Sequence, residues 1–426
     1  MNCKWEKTTI GNVAKVVGGG TPSSKVGEYY GGNISWITPK DLSAYTSKRI
    51  SVGKRSITEL GLSKSSAKLL PKDAVLLTSR APIGYVAIAA QELATNQGFK
   101  SLILKDGYDP DFFYYLLKML VPELEAIATG STFKEISGSS LKQVEILVPS
   151  EILQKKIAST LNCLDSKIEI NNQINQTLEE IAQAIFKSWF VDFDPVKAKM
   201  SGKQPEDIDA TTLALFPQSL DCNTGLPEGW HLSEIGDEVT VVGGGTPSTK
   251  NDDFWVDGNI HWTSPKDLSG VRDKVLVDTA SKITQEGLKK ISSGLLPVDT
   301  VLLSSRAPVG YLALAKVPMA INQGYIAMKC NKKLPPEYVL QWCSHNMSEI
   351  KQRASGSTFA EISKKNFKPI PVVVPTDDVL CAYKKIVKPL YESITENVRQ
   401  NELLSSLRDI LVPKLLSGDI ELVVTE

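Results

Sequence analysis

The sequence predicts an α/β protein made of two mixed α+β globules and two long helices. The globules are expected to form a pseudo-two-fold pair separated by an antiparallel two-helix coiled coil. Three observations carry this expectation. The chain repeats itself along most of its length, each copy closes in a long stretch with a heptad seam, and each copy opens with short β-branched runs broken by Gly, Pro and Ser.

The repeat is direct. VVGGGTPSSK (16–25) returns as VVGGGTPSTK (241–250), 225 residues on; one extra residue enters the second copy near Trp255 to Asp257, and the spacing becomes 226. WITPKDLS (36–43) then matches WTSPKDLS (262–269), and LLPKDAVLLTSRAPIGYVAIA (69–89) matches LLPVDTVLLSSRAPVGYLALA (295–315). TNQGF (95–99) matches INQGY (321–325), and ATGSTFKEIS (128–137) matches ASGSTFAEIS (354–363). Solenoid units run to about 20–50 residues, far shorter than these, so a closed pair is expected rather than a stack.

In chain order, residues 1–150 form the first globule, with strands expected at Asn33–Thr38, Ala74–Thr78 and Val86–Ala89. A helix is expected at Asp111–Ala128, with a partner at Glu337–Ala354. VEILVPS (144–150) and IPVVVPT (370–376) read as the closing strand of each globule. The first long helix takes 151–190, a Pro- and Gly-rich connector 191–228, the second globule 229–375, the second long helix 376–417, and a polar tail 418–426.

The heptad seam of the first helix is Ile157, Leu161, Leu164, Ile168, Asn171, Asn175, Leu178, Ala182, Ile185 and Trp189. Moving 226 residues on gives Tyr383, Val387, Leu390, Ile394, Asn397, Asn401, Leu404, Arg408, Leu411 and Leu415. Both copies keep their two Asn in place. If the helices pair antiparallel about a mid-seam axis, Asn171 faces Asn401 and Asn175 faces Asn397. Seam Asn residues fix register, because a slipped amide would lie unpaired against apolar side chains. The alternative is a splayed or wet stretch of seam.

Lys plus Arg (48) balances Asp plus Glu (48), which speaks against bulk electrostatic binding of nucleic acid but allows a local basic face. Six irregularly spaced Cys without C-x-x-C, and three His, give no zinc or disulfide framework. The N-terminus lacks a signal-like apolar run and nowhere do 18 apolar residues follow one another, so a cytoplasmic protein with no membrane partner is expected.

The order globule, long helix, globule, long helix, with GGGTPS, W-x-x-P-K-D-L, LL-x-SRAP-x-G, NQG and GSTF-x-EIS in each copy, resembles the DNA specificity subunit of type I restriction-modification enzymes. FKSWFVDFDPV after the first helix and PKLLSGDI after the second belong to the same resemblance, which covers essentially the whole chain. It implies that the globules are target recognition domains for a bipartite, interrupted site in double-stranded DNA. It also implies two methyltransferase subunits and restriction (motor-nuclease) subunits as partners, with S-adenosylmethionine, ATP and Mg on those partners and no cofactor on this chain. A helix of about 38 residues is roughly 57 Å long, or roughly 17 base pairs at about 3.4 Å each, an upper bound on half-site separation.

Candidate DNA contacts come from the repeated turns. Arg80 and Arg306 follow an apolar strand and can grip a phosphate or a guanine edge, or else pair with a local carboxylate. Lys40 and Lys266 in the PKDL turns suit a phosphate, or the adjacent Asp. Asn96 with Gln97, and Asn322 with Gln323, carry amides of the type that pair with adenine, although Asn and Gln before Gly are also ordinary turn residues. Thr132 with Glu135, and Thr358 with Glu361, have capping-box spacing at an expected helix start, which also suits a phosphate. Gly18 to Gly20 fail the dinucleotide fingerprint, because Ser23 stands at the third Gly.

No [N/D]-P-P-[Y/F], Walker or PD…E-x-K motif is present, so the chain reads as non-enzymatic. An atypical methyltransferase, or a scaffold that never touches DNA, are the rival readings. AYTSKRISVGKR (44–55) against GVRDKVLVDTAS (270–281) is the most divergent aligned stretch, and Arg49, Lys54, Arg55 and Arg272 are candidates there for half-site specificity, against a solvated loop. The likeness of the remainder predicts closely related, inverted half-sites.

Overall fold

Both heptad stretches fold as single helices in the computed structural model, which describes residues 5–43, 45–130, 134–205, 208–356 and 360–422. The first long helix is Glu151–Phe190 and the second is Asp377–Ser417. The second runs through Pro389 and Pro413, whose missing N–H groups each remove one helical hydrogen bond. Among the described residues no helix is long and apolar enough to cross a membrane.

The chain divides into two compact units that do not follow the order of the copies. Unit 1 is Met1–Glu169 with Glu402–Glu426, and unit 2 is Ile170–Asn401. The boundary cuts both long helices, so each unit owns one globule and one segment of each helix.

Unit 1 contains β1 (Glu6–Thr9), β2 (Ala14–Gly18), β3 (Tyr30–Ile37), β4 (Arg49–Ile50), β5 (Arg55–Ile57), β6 (Leu69–Leu70), β7 (Val75–Ser79), β8 (Ile83–Ala89), β9 (Leu93–Thr95), β10 (Lys100–Leu104) and β11 (Glu145–Val148). They form a five-stranded sheet β2-β10-β7-β8-β4, a four-stranded sheet β5-β3-β9-β6 and the pair β1-β11. β7, VLLTS, is buried at every position, which explains its near-continuous apolar sequence. β4 joins β8 in parallel, Arg49 opposite Ile88, and β8 joins β7 antiparallel. The main core gathers Phe112, Phe113, Leu116 and Leu117 with Ile157 and Leu161 of the first long helix and Leu415 and Leu416 of the second.

Unit 2 repeats this with β12 (His231–Glu234), β13 (Thr240–Gly243), β14 (Ile260–Thr263), β15 (Val275–Leu276), β16 (Ser281–Ile283), β17 (Val301–Ser304), β18 (Leu312–Ala315), β19 (Met319–Ile321), β20 (Tyr325–Lys329) and β21 (Pro371–Val374). The sheets are β13-β20-β17-β18-β15, β16-β14-β19 and β12-β21. The counterpart of β6 is reduced to one bridge, Leu296 to Met319. Its core is more aromatic: Phe186, Trp189 and Phe190 of the first long helix meet Tyr338, Tyr383 and Trp230. The connector adds Phe216 against Trp189, with ring centroids 4.9 Å apart, and contains the short helices Asp194–Met200 and Ala210–Ala214.

The expected helix Asp111–Ala128 is broken into Pro110–Met119 and Val121–Ile127. Pro122 opens the second piece, because it has no N–H to continue the first. The partner breaks into Pro336–His345 and Met347–Gln352, where the Asn346 side chain donates to the Trp342 carbonyl at 2.9 Å.

The helix segments within each unit run antiparallel. In unit 2, Asn171 Nδ2 donates to Asn401 Oδ1 and Asn397 Nδ2 to Asn175 Oδ1, both at 2.8 Å, so partners descend along one helix as they ascend along the other. Asn171 also donates to Gln400, and Asn401 to Asn172. Asn171 and Asn175 are 0% and 1% exposed, while their partners Asn401 and Asn397 are half-buried. In unit 1 the corresponding contact is ionic, Asp165 to Arg408 at 2.9 Å.

Candidate nucleic-acid interface

In each globule the repeated motifs meet as turns on one face. The GGG run begins the construction. A Cβ on Gly19 would stand 1.9 Å from the Asn96 carbonyl oxygen, and one on Gly244 1.9 Å from that of Ile321, so only glycine lets these strands touch. Trp36 then donates its indole N–H to Gly20 O at 3.0 Å, and Trp262 to Gly245 O at 3.1 Å. Gly19, Gly20 and Gly244 therefore serve close packing.

The PKDL turn comes next. Asp41 accepts from the Thr38 N–H at 2.8 Å and from the Lys54 N–H at 2.9 Å, and Asp267 accepts from Ser264 and Ala280 in the same way. Burial works against the Asp41 carboxylate, but the bonds from Thr38 and Lys54 outweigh it and lower its pKa. The acid is therefore a cap, and Lys40 and Lys266 stay exposed with no ion pair among the described residues.

Asn96 and Asn322 turn inward. Each side-chain oxygen accepts from the N–H two residues on, Gly98 at 2.9 Å and Gly324 at 2.8 Å, which assigns these amides to the turn. Gln97 and Gln323 are exposed, and Gln323 accepts from the Thr246 hydroxyl at 2.6 Å. The SRAP segments tie the turns together: Ser79 N donates to Gly98 O and Ile136 N to Ser79 O, with Ser305, Gly324 and Ile362 repeating the pattern.

Arg80 and Arg306 take the carboxylate alternative. Arg80 lies 3.5 Å from Glu135 and Arg306 3.8 Å from Glu361, and each Arg remains more than a third exposed. Lys100 shares Glu135 at 3.3 Å; its aligned counterpart is the buried Ile326. The next residues, Ala81 and Ala307, hold left-handed φ values of 48° and 51°, a local cost that both copies maintain in the same place.

Several expectations need correction. Glu135 and Glu361 do not close a capping box: each sits in an isolated β-bridge, and the following helices start at Gly138 and Lys364, capped by Ser137 and Ser363. Thr132 and Thr358 lie outside the described residues. Arg49 is no free loop cation. It opens β4, pairs with Asp73, and reaches Asp111 at 2.9 Å. Arg55 places its guanidinium carbon 4.3 Å from the Tyr30 ring centre, a cation–π contact that leaves it exposed. Lys54 is exposed, and Arg272 borders a cleft with Leu268, Tyr311 and Met347.

The residues that sequence reasoning missed anchor each globule to its helices. Lys48 Nζ donates to Asn162, to the Tyr115 hydroxyl at 2.9 Å, and faces Asp111 at 3.4 Å. Tyr115 donates to Asp165 at 2.5 Å, which also holds Arg408. In unit 2, Lys274 lies 2.7 Å from Glu179, which further accepts from Gln341 and Tyr391, both at 2.9 Å. Burial lowers the Lys48 pKa, opposed by Asp111 and Asp165. The signal was present: Lys48 and Lys274 are the one identity between the two divergent stretches.

Two copies of one mixed globule, each seated on the same two long helices and each presenting the same face of turns, define a duplicated recognition protein. The description "type I restriction modification DNA specificity domain" matches residues 2–180 and again 227–404, and the chain belongs to that family. It is 34% identical to the type I restriction enzyme MjaIX specificity subunit of Methanocaldococcus jannaschii, over 98% of this chain and 93% of that one. It is 28% identical to the HindI specificity subunit of Haemophilus influenzae, over 73% and 77%. The fold is similar to that of a type I restriction-modification S subunit from M. genitalium, with a TM-score of 0.59, 20% identity, and 99% and 98% of the two chains covered.

Proposed function

We propose that this chain is the DNA specificity subunit of a type I restriction-modification complex. Each globule reads one half-site of a bipartite, interrupted target in double-stranded DNA. The two long helices set the spacer and dock two methyltransferase subunits and the restriction subunits. The observation that carries this reading is the face of turns built twice, with Lys40 exposed and Arg80 half-buried beside Glu135 on one copy, and Lys266 exposed and Arg306 half-buried beside Glu361 on the other. Cations placed alike on two like globules suit two phosphate backbones of one duplex.

The half-sites are closely related and inverted, because the turns agree so nearly residue for residue. Catalysis belongs to the partners: S-adenosylmethionine, ATP and Mg act there, and this chain is a non-catalytic, cytoplasmic subunit. The test is single-molecule methylation sequencing of DNA from cells making the chain with its methyltransferase, against cells lacking only this chain. A bipartite methylated motif that requires the chain is expected. An unchanged methylation pattern overturns the reading, and unrelated half-sites overturn the inverted-repeat part of it.

A further inference from the structure

We propose that Lys48 and Lys274 are positioning residues that set how each globule is held on the helices, and through that the spacer the protein accepts, without touching a base. The proposal rests on the specificity reading above.

The two lysines sit in the stretch where the copies otherwise share nothing, which is the pattern of a part whose end point matters and whose path does not. Each immediately precedes the outermost strand of its five-stranded sheet, β4 or β15, and each ends on the first long helix. The acceptors are unlike: Asn162 aligns with Lys388, and Glu179 with Ser405. A lysine placed symmetrically in unit 2 would meet Lys388 and be repelled, so Lys274 takes Glu179, with Ser344 as a second acceptor at 2.9 Å. The lysine is kept, while its acceptor differs in both position and chemistry.

The contacts are sheltered. The Lys48 and Lys274 side chains are 15% and 25% exposed, and an ammonium in such a place without its partner is costly, so each globule has one favoured seat. Movement at this joint reaches the reading face through hydrogen-bonded strands. β4 pairs β8, β8 pairs β7, and Arg80 follows β7; β15, β18 and β17 lead to Arg306 in the same way. A base-pair step is about 3.4 Å, so a small tilt amplified along the sheet moves the turns by a meaningful fraction of a step.

The test uses the full chain in complex with its methyltransferase, and duplexes carrying both half-sites with the native spacer or one base pair more or less. Lys274→Met and Lys48→Met are made separately, with Lys274→Arg keeping the charge. Each Met variant is expected to lose about tenfold of the preference for the native spacer, the size of one charge-assisted contact. The methylated bases stay the same, and Lys274→Arg keeps the preference. Equal loss on all three duplexes in both Met variants means a merely structural role, and altered half-site bases mean that the stretch reads DNA; either result overturns the proposal. A wild-type complex that methylates no bipartite motif instead overturns the underlying reading. Because the two lysines lie in different compact units, misfolding of one variant leaves the other decisive.

Discussion

The two globules are alike at their turns and unlike where they meet the helices. In unit 1 the junction is ionic, with Lys48, Asp111, Asp165 and Arg408 joined through the Tyr115 hydroxyl. In unit 2 the aligned seats hold Lys274, Glu337, Tyr391, Ala182 and Gln341; one ion pair remains, Lys274 with Glu179, and an aromatic cluster packs in the same core. Duplication passed on one backbone plan. The helix segments that receive the two globules differ in sequence, so each junction was completed from whatever its own neighbours offered. Pseudo-symmetry constrains positions, whereas the hydrogen bonds are drawn from local neighbours and leave Glu337 Oε2 and Gln341 Oε1 without a partner among the described residues.

The largest expected effect compares one helix position, aromatic in unit 2 and aliphatic in unit 1. Trp189→Ala removes a side chain packed on Phe190, Phe216 and Tyr383 and should destabilise unit 2 by about 3–5 kcal/mol. Its aligned partner, Leu415→Ala in unit 1, should cost about 2–5 kcal/mol. Hydrogen exchange read separately on residues 153–161 and 383–394 checks whether each loss stays in its own unit; spread of the Trp189→Ala effect over both would break the comparison.

Polar deletions should be smaller. Arg408→Ala leaves Asp165 with the Tyr115 hydroxyl as its remaining donor, and Tyr391→Phe removes a donor to Glu179 and an acceptor for Gln341; each should cost about 1–3 kcal/mol. Denaturant unfolding of the variants gives the values. A Tyr391→Phe cost near zero would show that the unit 2 junction rests on packing alone.

The smallest effect depends on pH. Asp111 is paired with Lys48 and Arg49, but its counterpart Glu337 is 1% exposed and its Oε2 has no partner among the described residues. Burial raises the Glu337 pKa above the ordinary 4.5, against its own backbone N–H and with Asp299 adding to the rise. Between 4.5 and the raised value the folded chain holds a proton that the unfolded chain releases, so this group's contribution to stability falls as pH rises through that window. Glu337→Gln should therefore gain stability relative to wild type as pH rises above 4.5. Asp111→Asn should lose stability at neutral pH. Paired melting curves at pH 5 and pH 8 give the sign of each.

The turns and helices were largely legible in sequence because their causes are local. The heptad spacing marks positions that are all buried or half-buried in the two helices, and Gly19, Gly20 and Gly244 of the GGG runs mark close backbone approaches that no side chain permits. Asn96 and Asn322 show the limit of such reading: the same amide before glycine suits a base edge or its own turn, and the answer lies in a hydrogen bond to the residue two further on. Arg49 shows it more sharply, since its partners Asp73 and Asp111 are distant in sequence and are brought together only by the β4 edge.

By itself the sequence determined the duplication, the two long helices with their paired Asn, and the family, because repeats, periodicity and turn chemistry act over a few residues at a time. Only the tertiary structure decided which charges are consumed and which stay exposed, that Lys48 and Lys274 are joints while Arg49 is a brace, and that two like globules are seated by unlike chemistry. An ion pair depends on where two side chains end, and that is set by packing across the whole unit.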